Sequence, residues 1–254
     1  GADSSNDINA SGQTYASWSW KANGAGSSNT DGSITSTVSV DTTSKCSIVK
    51  FTASGSGGTV GHGLGVAPKA IIFKRLDAAS DWAVYHASLG NVNMCFLNTT
   101  TAASSNASIL NSTSPTSSVF TVGSSNIVTG GPVIAYCFAE VQGFSKVSSY
   151  IGNGDTDGMF IYTGFKPAWV LIKNTQANES WFLYDNKRGY NGSMAALFPN
   201  ETAADAFANN IDLLSNGFKL KTAGAILNSN ATFIYTAFAA APLVGTNDIP
   251  ANAR

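Results

Sequence analysis

The residues of this chain that could do chemistry are few and scattered. It holds two histidines (His62, His86), three cysteines (Cys46, Cys95, Cys137) and fifteen carboxylates in 254 residues. The densest acidic run is Gly152-Asn-Gly-Asp155-Thr-Asp157-Gly158. Its oxygens would suit Ca²⁺, but the downstream Glu that completes an EF-hand loop is missing, and a hairpin turn explains the run more simply. His62 lies in Gly61-His-Gly-Leu-Gly65, where glycines serve positive φ, and His86 ends a strand-like run. With no Cys beside either histidine, zinc has no ligand set. No Ser occupies a G-x-S-x-G elbow. A glycosidase needs two carboxylates about 5–10 Å apart across one cleft, and no acidic pair recurs in the matching blocks described below. The expectation is no enzyme, no catalytic residue, no cofactor and no metal.

Binding has better candidates than catalysis. Tyr190, in the Gly189-Tyr-Asn-Gly192 loop, is an unrepeated aromatic suited to stacking on a sugar ring. Asn178-Glu-Ser-Trp with Lys187-Arg188 could form a polar patch, though a solvated loop explains these residues as well. Sequons occur at Asn9, Asn98, Asn106, Asn111, Asn178, Asn191, Asn200 and Asn230, and the paired Asn98 and Asn200 are the first places to look for glycosylation.

Composition limits the partners. Charged residues make up 11% of the chain, against about 25% in an average domain; Ser, Thr, Asn, Gly and Ala replace them. This suits strands with an apolar inner face and a small polar outer face. Net charge is −1 with no basic stripe, so nucleic acid is not expected. The longest apolar stretch, Phe233 to Val244, is too short and too polar to cross a membrane. Three cysteines without CxxC spacing imply buried thiols rather than a disulfide framework. The chain opens Gly1-Ala-Asp3 with no signal-peptide pattern, as expected of a processed protein or a fragment.

The elements that would position these residues come in repeats. Val66-Ala-Pro-Lys-Ala-Ile-Ile-Phe-Lys74 matches Phe165-Lys-Pro-Ala-Trp-Val-Leu-Ile-Lys173, and Asp81-Trp-Ala-Val-Tyr-His86 matches Ser180-Trp-Phe-Leu-Tyr-Asp185. Asn98-Thr-Thr100 answers Asn200-Glu-Thr202, and Ile134 to Ala139 answers Ile234 to Ala239. Self-similarity at about 100 residues marks a repeated module. The reading is all-β, with two tandem jelly-roll-like β-sandwich modules at 44–143 and 144–242, and a tail at 243–254. Residues 1–43 hold an orphan strand and a flexible connector at 23–33. Strands are expected at 14–20, 34–40, 46–52, 69–75, 81–86, 93–97, 118–122, 132–139, 145–151, 159–163, 168–173, 179–185, 217–221 and 231–238. Ala70-Ile-Ile-Phe and Trp169-Val-Leu-Ile are continuously apolar, as for strands covered on both faces. Ala203, Phe207, Ile211 and Leu214 recur at helical spacing and predict one helix.

The segment Thr14-Tyr15-Ala-Ser-Trp18-Ser-Trp20 reads as a third, partial copy of the closing strand. A lone strand cannot bury its own apolar face. Tyr15, Trp18 and Trp20 are therefore expected to join an edge of this chain or of a neighbouring copy, the latter giving a head-to-tail filament.

These residues resemble a tandem-repeat module of unknown function found in marine and freshwater phages. The resemblance rests on Tyr15-Ala-Ser-Trp-Ser-Trp-Lys-Ala-Asn-Gly, Thr59-Val-Gly-His-Gly-Leu-Gly-Val-Ala-Pro68, Asp81-Trp-Ala-Val-Tyr-His86, Ile134-Ala-Tyr-Cys-Phe-Ala-Glu140, Tyr150-Ile-Gly-Asn-Gly154, Tyr184-Asp-Asn-Lys-Arg188 and Asn252-Ala-Arg254. It covers nearly the whole chain and implies a virion or extracellular setting. The function expected from it is a non-enzymatic structural subunit of a phage fibre or capsid surface that self-associates. The alternatives are a carbohydrate-binding adhesin that meets host-surface glycans, and an extracellular filament subunit.

Overall fold

The computed structural model describes residue 12 and residues 15–240. The tail at 243–254, Asn9, and the start of the 14–20 segment lie outside the described residues. Nineteen strands, one 3₁₀ turn and one helical turn are formed among the described residues. In chain order the strands are β1 (Ser27–Asn29), β2 (Ser36–Asp41), β3 (Cys46–Thr52), β4 (Gly58–Gly61), β5 (Ala70–Arg75), β6 (Ala83–His86) and β7 (Asn93–Phe96). Then come β8 (Ser104–Ser105), β9 (Val119–Val122), β10 (Pro132–Phe138), β11 (Ser145–Ile151), β12 (Phe160–Tyr162) and β13 (Pro167–Asn174). The last six are β14 (Phe182–Tyr190), β15 (Ser193–Leu197), β16 (Ala206–Ala208), β17 (Ile211–Leu214), β18 (Gly217–Leu220) and β19 (Thr232–Ala239).

The chain is all-β and antiparallel. An eight-stranded sheet runs β1-β2-β3-β10-β5-β6-β7-β8, and a six-stranded sheet runs β11-β19-β13-β14-β15-β16. Strands β3, β10, β5, β6 and β7 thus follow one another as β11, β19, β13, β14 and β15 do. Two small sheets, β4-β9 and β12-β18-β17, cover one face of the large ones.

Side-chain alternation explains the layering. Along β5, Ile71 and Phe73 point into a core shared with Val60, Phe120 and Val122 of the β4-β9 sheet, while Ile72 points the other way. Along β13, Val170 and Ile172 meet Ile161, Ile211 and Phe218 of the three-stranded sheet, while Trp169 and Leu171 point away from it. A third core joins the outward faces of the two large sheets, with Val84 and Cys95 against Leu171, Trp181, Leu183 and Ile234. Both runs read as covered on two sides are so covered. All three cysteines are buried free thiols. Burial pushes Cys46 and Cys95 up to about 11.

Three expectations need correction. Residues 203–214 form no helix; β16 and β17 occupy them. Ile211 and Leu213 face the core while Asp212 and Leu214 do not, so period two prevails once β17 pairs with β18. Residues 23–33 are not simply a connector, since β1 pairs with β2. The β1–β2 hairpin belongs to the eight-stranded sheet, because β2 pairs with β3 from Ser36 to Asp41 and buries Val38. Finally, residues 15–22 form no strand. They cross the seam between the large sheets as a strap, held by aromatic packing rather than a ladder.

Candidate functional site

One hollow is at that seam. A chamber of about 430 Å³ lies between the two large sheets, with Trp20, Trp82, Trp169 and Trp181 in its wall and Tyr136, Phe138 and Phe238 beside them. Strand alternation places them there: Tyr136 and Phe138 leave β10 on the face opposite Val133, Ala135 and Cys137. Trp20 meets Phe238 at 5.3 Å, Trp169 at 5.5 Å and Phe138 at 6.2 Å between ring centroids, each edge to face. Such pairs add about 0.5–1.5 kcal/mol beyond their buried area. Trp20, Trp169 and Phe238 also line a second hollow of about 260 Å³ on the strap side.

Trp18 is held differently. The Arg188 guanidinium carbon lies 5.5 Å from its ring centroid. That guanidinium is fixed by Asp185, at 2.7 Å, and reaches Asp205 at 3.4 Å. Asp185 is buried, and its other oxygen accepts the backbone N–H groups of Lys187 and Arg188. Arg188 therefore clasps the strap rather than forming a patch with Asn178. Asn178 instead accepts the Ala102 N–H, and Tyr15 stands half-exposed at the head of the strap.

Polar bonds pin the seam. His86 Nε2 donates to the Tyr235 carbonyl at 3.1 Å, and its Nδ1 accepts the Ser88 N–H. Trp181 Nε1 donates to the Phe96 carbonyl at 2.8 Å, Lys173 Nζ to the Thr100 carbonyl at 2.8 Å, and the Ala103 N–H to the Thr175 carbonyl at 3.0 Å. Burial pushes His86 down to about 4, with the Tyr235 carbonyl opposing that shift. With both ring nitrogens committed and the ring neutral, the chamber has no proton donor or acceptor at its one histidine. It can exclude water and hold apolar surface.

Asn98 and Asn200 hold matching structural posts. Asn98 Oδ1 accepts the Trp82 N–H at 2.9 Å, and Asn200 Oδ1 accepts the Trp181 N–H at 2.8 Å. Their amides donate to Asp81 and to Ser180. Lys74 and Lys173 match likewise, donating to the Ser80 and Glu179 carbonyls at the close of the following loop.

The remaining candidates are dispersed. Tyr190 stands 73% exposed at the tip of the β14–β15 hairpin, opposite Ser193. His62 is buried, with Nε2 facing the Thr116 carbonyl and Nδ1 accepting the Leu64 N–H. Asp155 accepts the Asp157 N–H, and Asp157 pairs with Lys219 at 2.7 Å. Among the described residues no three His, Cys, Asp or Glu side chains converge on a metal position.

A polar hollow of about 270 Å³ was missed in the sequence. Glu140, Gln142, Ser145, Lys146, Tyr162 and Thr163 line it. It forms where the β10–β11 connection meets the end of β12, a juxtaposition of residues about 20 apart that local pattern does not reveal.

One family model, described as a domain of unknown function (DUF7483), matches residues 1–242. No curated protein and no solved structure matches the chain.

Proposed function

We propose that this chain, which belongs to the DUF7483 family, is a non-enzymatic structural protein of a virion appendage or virion surface, built from two tandem β-sandwich modules that self-associate. The observation that carries this reading is the repetition of its internal fastenings. Asn98 and Trp82, Lys74 and Ser80 in one half have counterparts in Asn200 and Trp181, Lys173 and Glu179 in the other. Conserved geometry at corresponding positions is spent on holding shape. His86, which lines the chamber, is committed to backbone partners as well.

Self-association is supported by a difference between the halves. Strands β3 and β11 hold corresponding places, but β3 is covered by β2 while β11 is an edge of seven residues. Open edges pair with further chain unless blocked. Ala239 N–H bonds to Phe144 O, and Gly152 N–H to Ala231 O. Alternation between these bonds turns the N–H groups of Val147 and Ser149 outward. The Glu140 carboxylate takes the first of these at 2.9 Å. Ser149, and Ile151 beyond it, are left as the points where a strand from another copy would add. The strap reaches the same assembly only by leaving its own seam, so edge pairing at β11 is the simpler route.

Negative-stain electron microscopy with sedimentation tests the reading. Fibres or regular oligomers are expected from the wild type. Ser149→Pro, which removes an outward N–H without touching the β19 ladder, should dissolve them with the fold intact. A protein monomeric at all concentrations, or assemblies indifferent to Ser149→Pro, would overturn it.

A second reading, a carbohydrate-binding adhesin, is favoured by the hollow beside Tyr162.

A further inference from the structure

We infer that the hollow beside Tyr162 is a saccharide-binding site, with the outer face of the three-stranded sheet as its stacking platform. The inference rests on this pocket alone and does not depend on how, or whether, the chain assembles.

The platform follows from strand alternation. Along β12, Ile161 enters the core while Phe160 and Tyr162 face outward, 43% and 65% exposed. Tyr162 lies opposite Gly217 and Phe160 opposite Lys219 in the ladder with β18. Gly217 keeps the face flat: a Cβ there would lie 2.7–2.9 Å from Phe160 ring atoms, so that ring rests against a position free of side chain. Lys219 is drawn aside by Asp157 and by the Gly158 carbonyl, both at 2.7 Å. Two exposed aromatic rings side by side on a smooth strand face form an apolar patch of the kind that marks a ligand surface. The C–H face of a pyranose ring has the same apolar character.

The hollow supplies the other half of sugar recognition. Glu140 and Lys146 pair at 3.3 Å along one wall. One Glu140 oxygen is taken by the Val147 N–H and Lys146, leaving the second as an acceptor. Lys146 has three donors and Gln142 a donor and an acceptor. Because the charges offset one another, the pocket favours neutral hydroxyls over an ionic group. At about 270 Å³ it falls just below the size of drug-binding pockets, about 300–1,000 Å³, and suits one or two sugar rings. A protein partner would need a far larger contact, about 800 Å² per side.

Saturation-transfer NMR with cellotriose, chitotriose and trigalacturonate tests the assignment. Transfer to ring protons of a neutral trisaccharide is expected. Binding should weaken at least tenfold in Tyr162→Ala and in Glu140→Gln, and stay unchanged in Tyr190→Ala. Both substituted residues lie at the surface, and an unchanged melting temperature verifies their folding. Absence of transfer from all three sugars overturns the proposal. So does binding that survives Tyr162→Ala, binding confined to trigalacturonate, or binding lost in Tyr190→Ala.

Discussion

His86 lies with its Nε2 3.1 Å from the carbonyl oxygen of Tyr235, a residue 149 positions later in the chain, and the bond is buried. It joins β6 of one large sheet to β19 of the other. The ring is neutral in the fold because burial holds its protonation down at about 4, well below the ordinary histidine value near 6.5.

This makes stability fall in acid over a defined window. Above pH 6.5 the ring is neutral in both folded and unfolded chains, so nothing is lost. Between 6.5 and 4 the unfolded chain takes up a proton that the folded chain refuses, and unfolding gains on the order of 3 kcal/mol. Below about 4 both are protonated and the loss levels off. His62, lowered in the same direction by burial, adds to the slope. His86→Gln should flatten the curve between pH 6.5 and 4, measured by urea unfolding at stepped pH. Equal slopes for wild type and variant would refute the assignment.

Removing the two asparagine posts should cost unequal amounts, because the Asn98 bond is exposed and the Asn200 bond is part-buried. Asn98→Ala strips the acceptor from the Trp82 N–H, and Asn200→Ala does so for Trp181. Asn200→Ala is expected to lose about 1–2 kcal/mol in denaturant unfolding and Asn98→Ala less than about 1 kcal/mol, since water can replace its exposed bond; the double variant should come close to the sum, since the two share no partner.

Trp20→Ala should join the chamber of about 430 Å³ to its neighbour of about 260 Å³, because Trp20 lines both. A loss of about 2–4 kcal/mol is expected, below the cost of a fully buried tryptophan because this one is partly exposed. Fluorescence of an apolar dye should rise at the same time, which simple surface loss would not cause.

The two matched lysines should respond unequally. Lys173 is fully buried and donates to the Thr100 and Glu179 carbonyls. Burial holds its ammonium below the ordinary lysine value. Lys173→Met would remove the donor from two part-buried carbonyls and leave the apolar stem in place, at a cost of about 1–3 kcal/mol. Lys74, partly exposed, should lose less than about 1 kcal/mol on the same change, since water can replace it.

What the sequence discloses follows from how local the cause is. Strands such as β2, β3, β5, β10, β13 and β19 are written in β-branched and aromatic runs, and the doubly apolar Ala70-Ile-Ile-Phe announces burial on two faces. The helix expected at 203–214 rested on four residues at helical spacing, which Ile211 and Leu213 satisfy equally well as a strand once β18 is present. Trp18 and Trp20 alternate like strand residues because they face two partners, Arg188 and the Phe138–Trp169–Phe238 cluster. The offset of Trp82 from Trp181 and of Lys74 from Lys173 carried the correspondence between halves. The Tyr162 hollow could not be read, since Glu140 and Lys146 reach it only through a connection that folds back beside β12.

Ser17 to Trp20 and Ala239–Ala240 line the same small hollow. The two ends of the described chain therefore share one pole of the molecule, and a load applied through both would meet first in shear between Trp20 and Phe238, 5.3 Å apart.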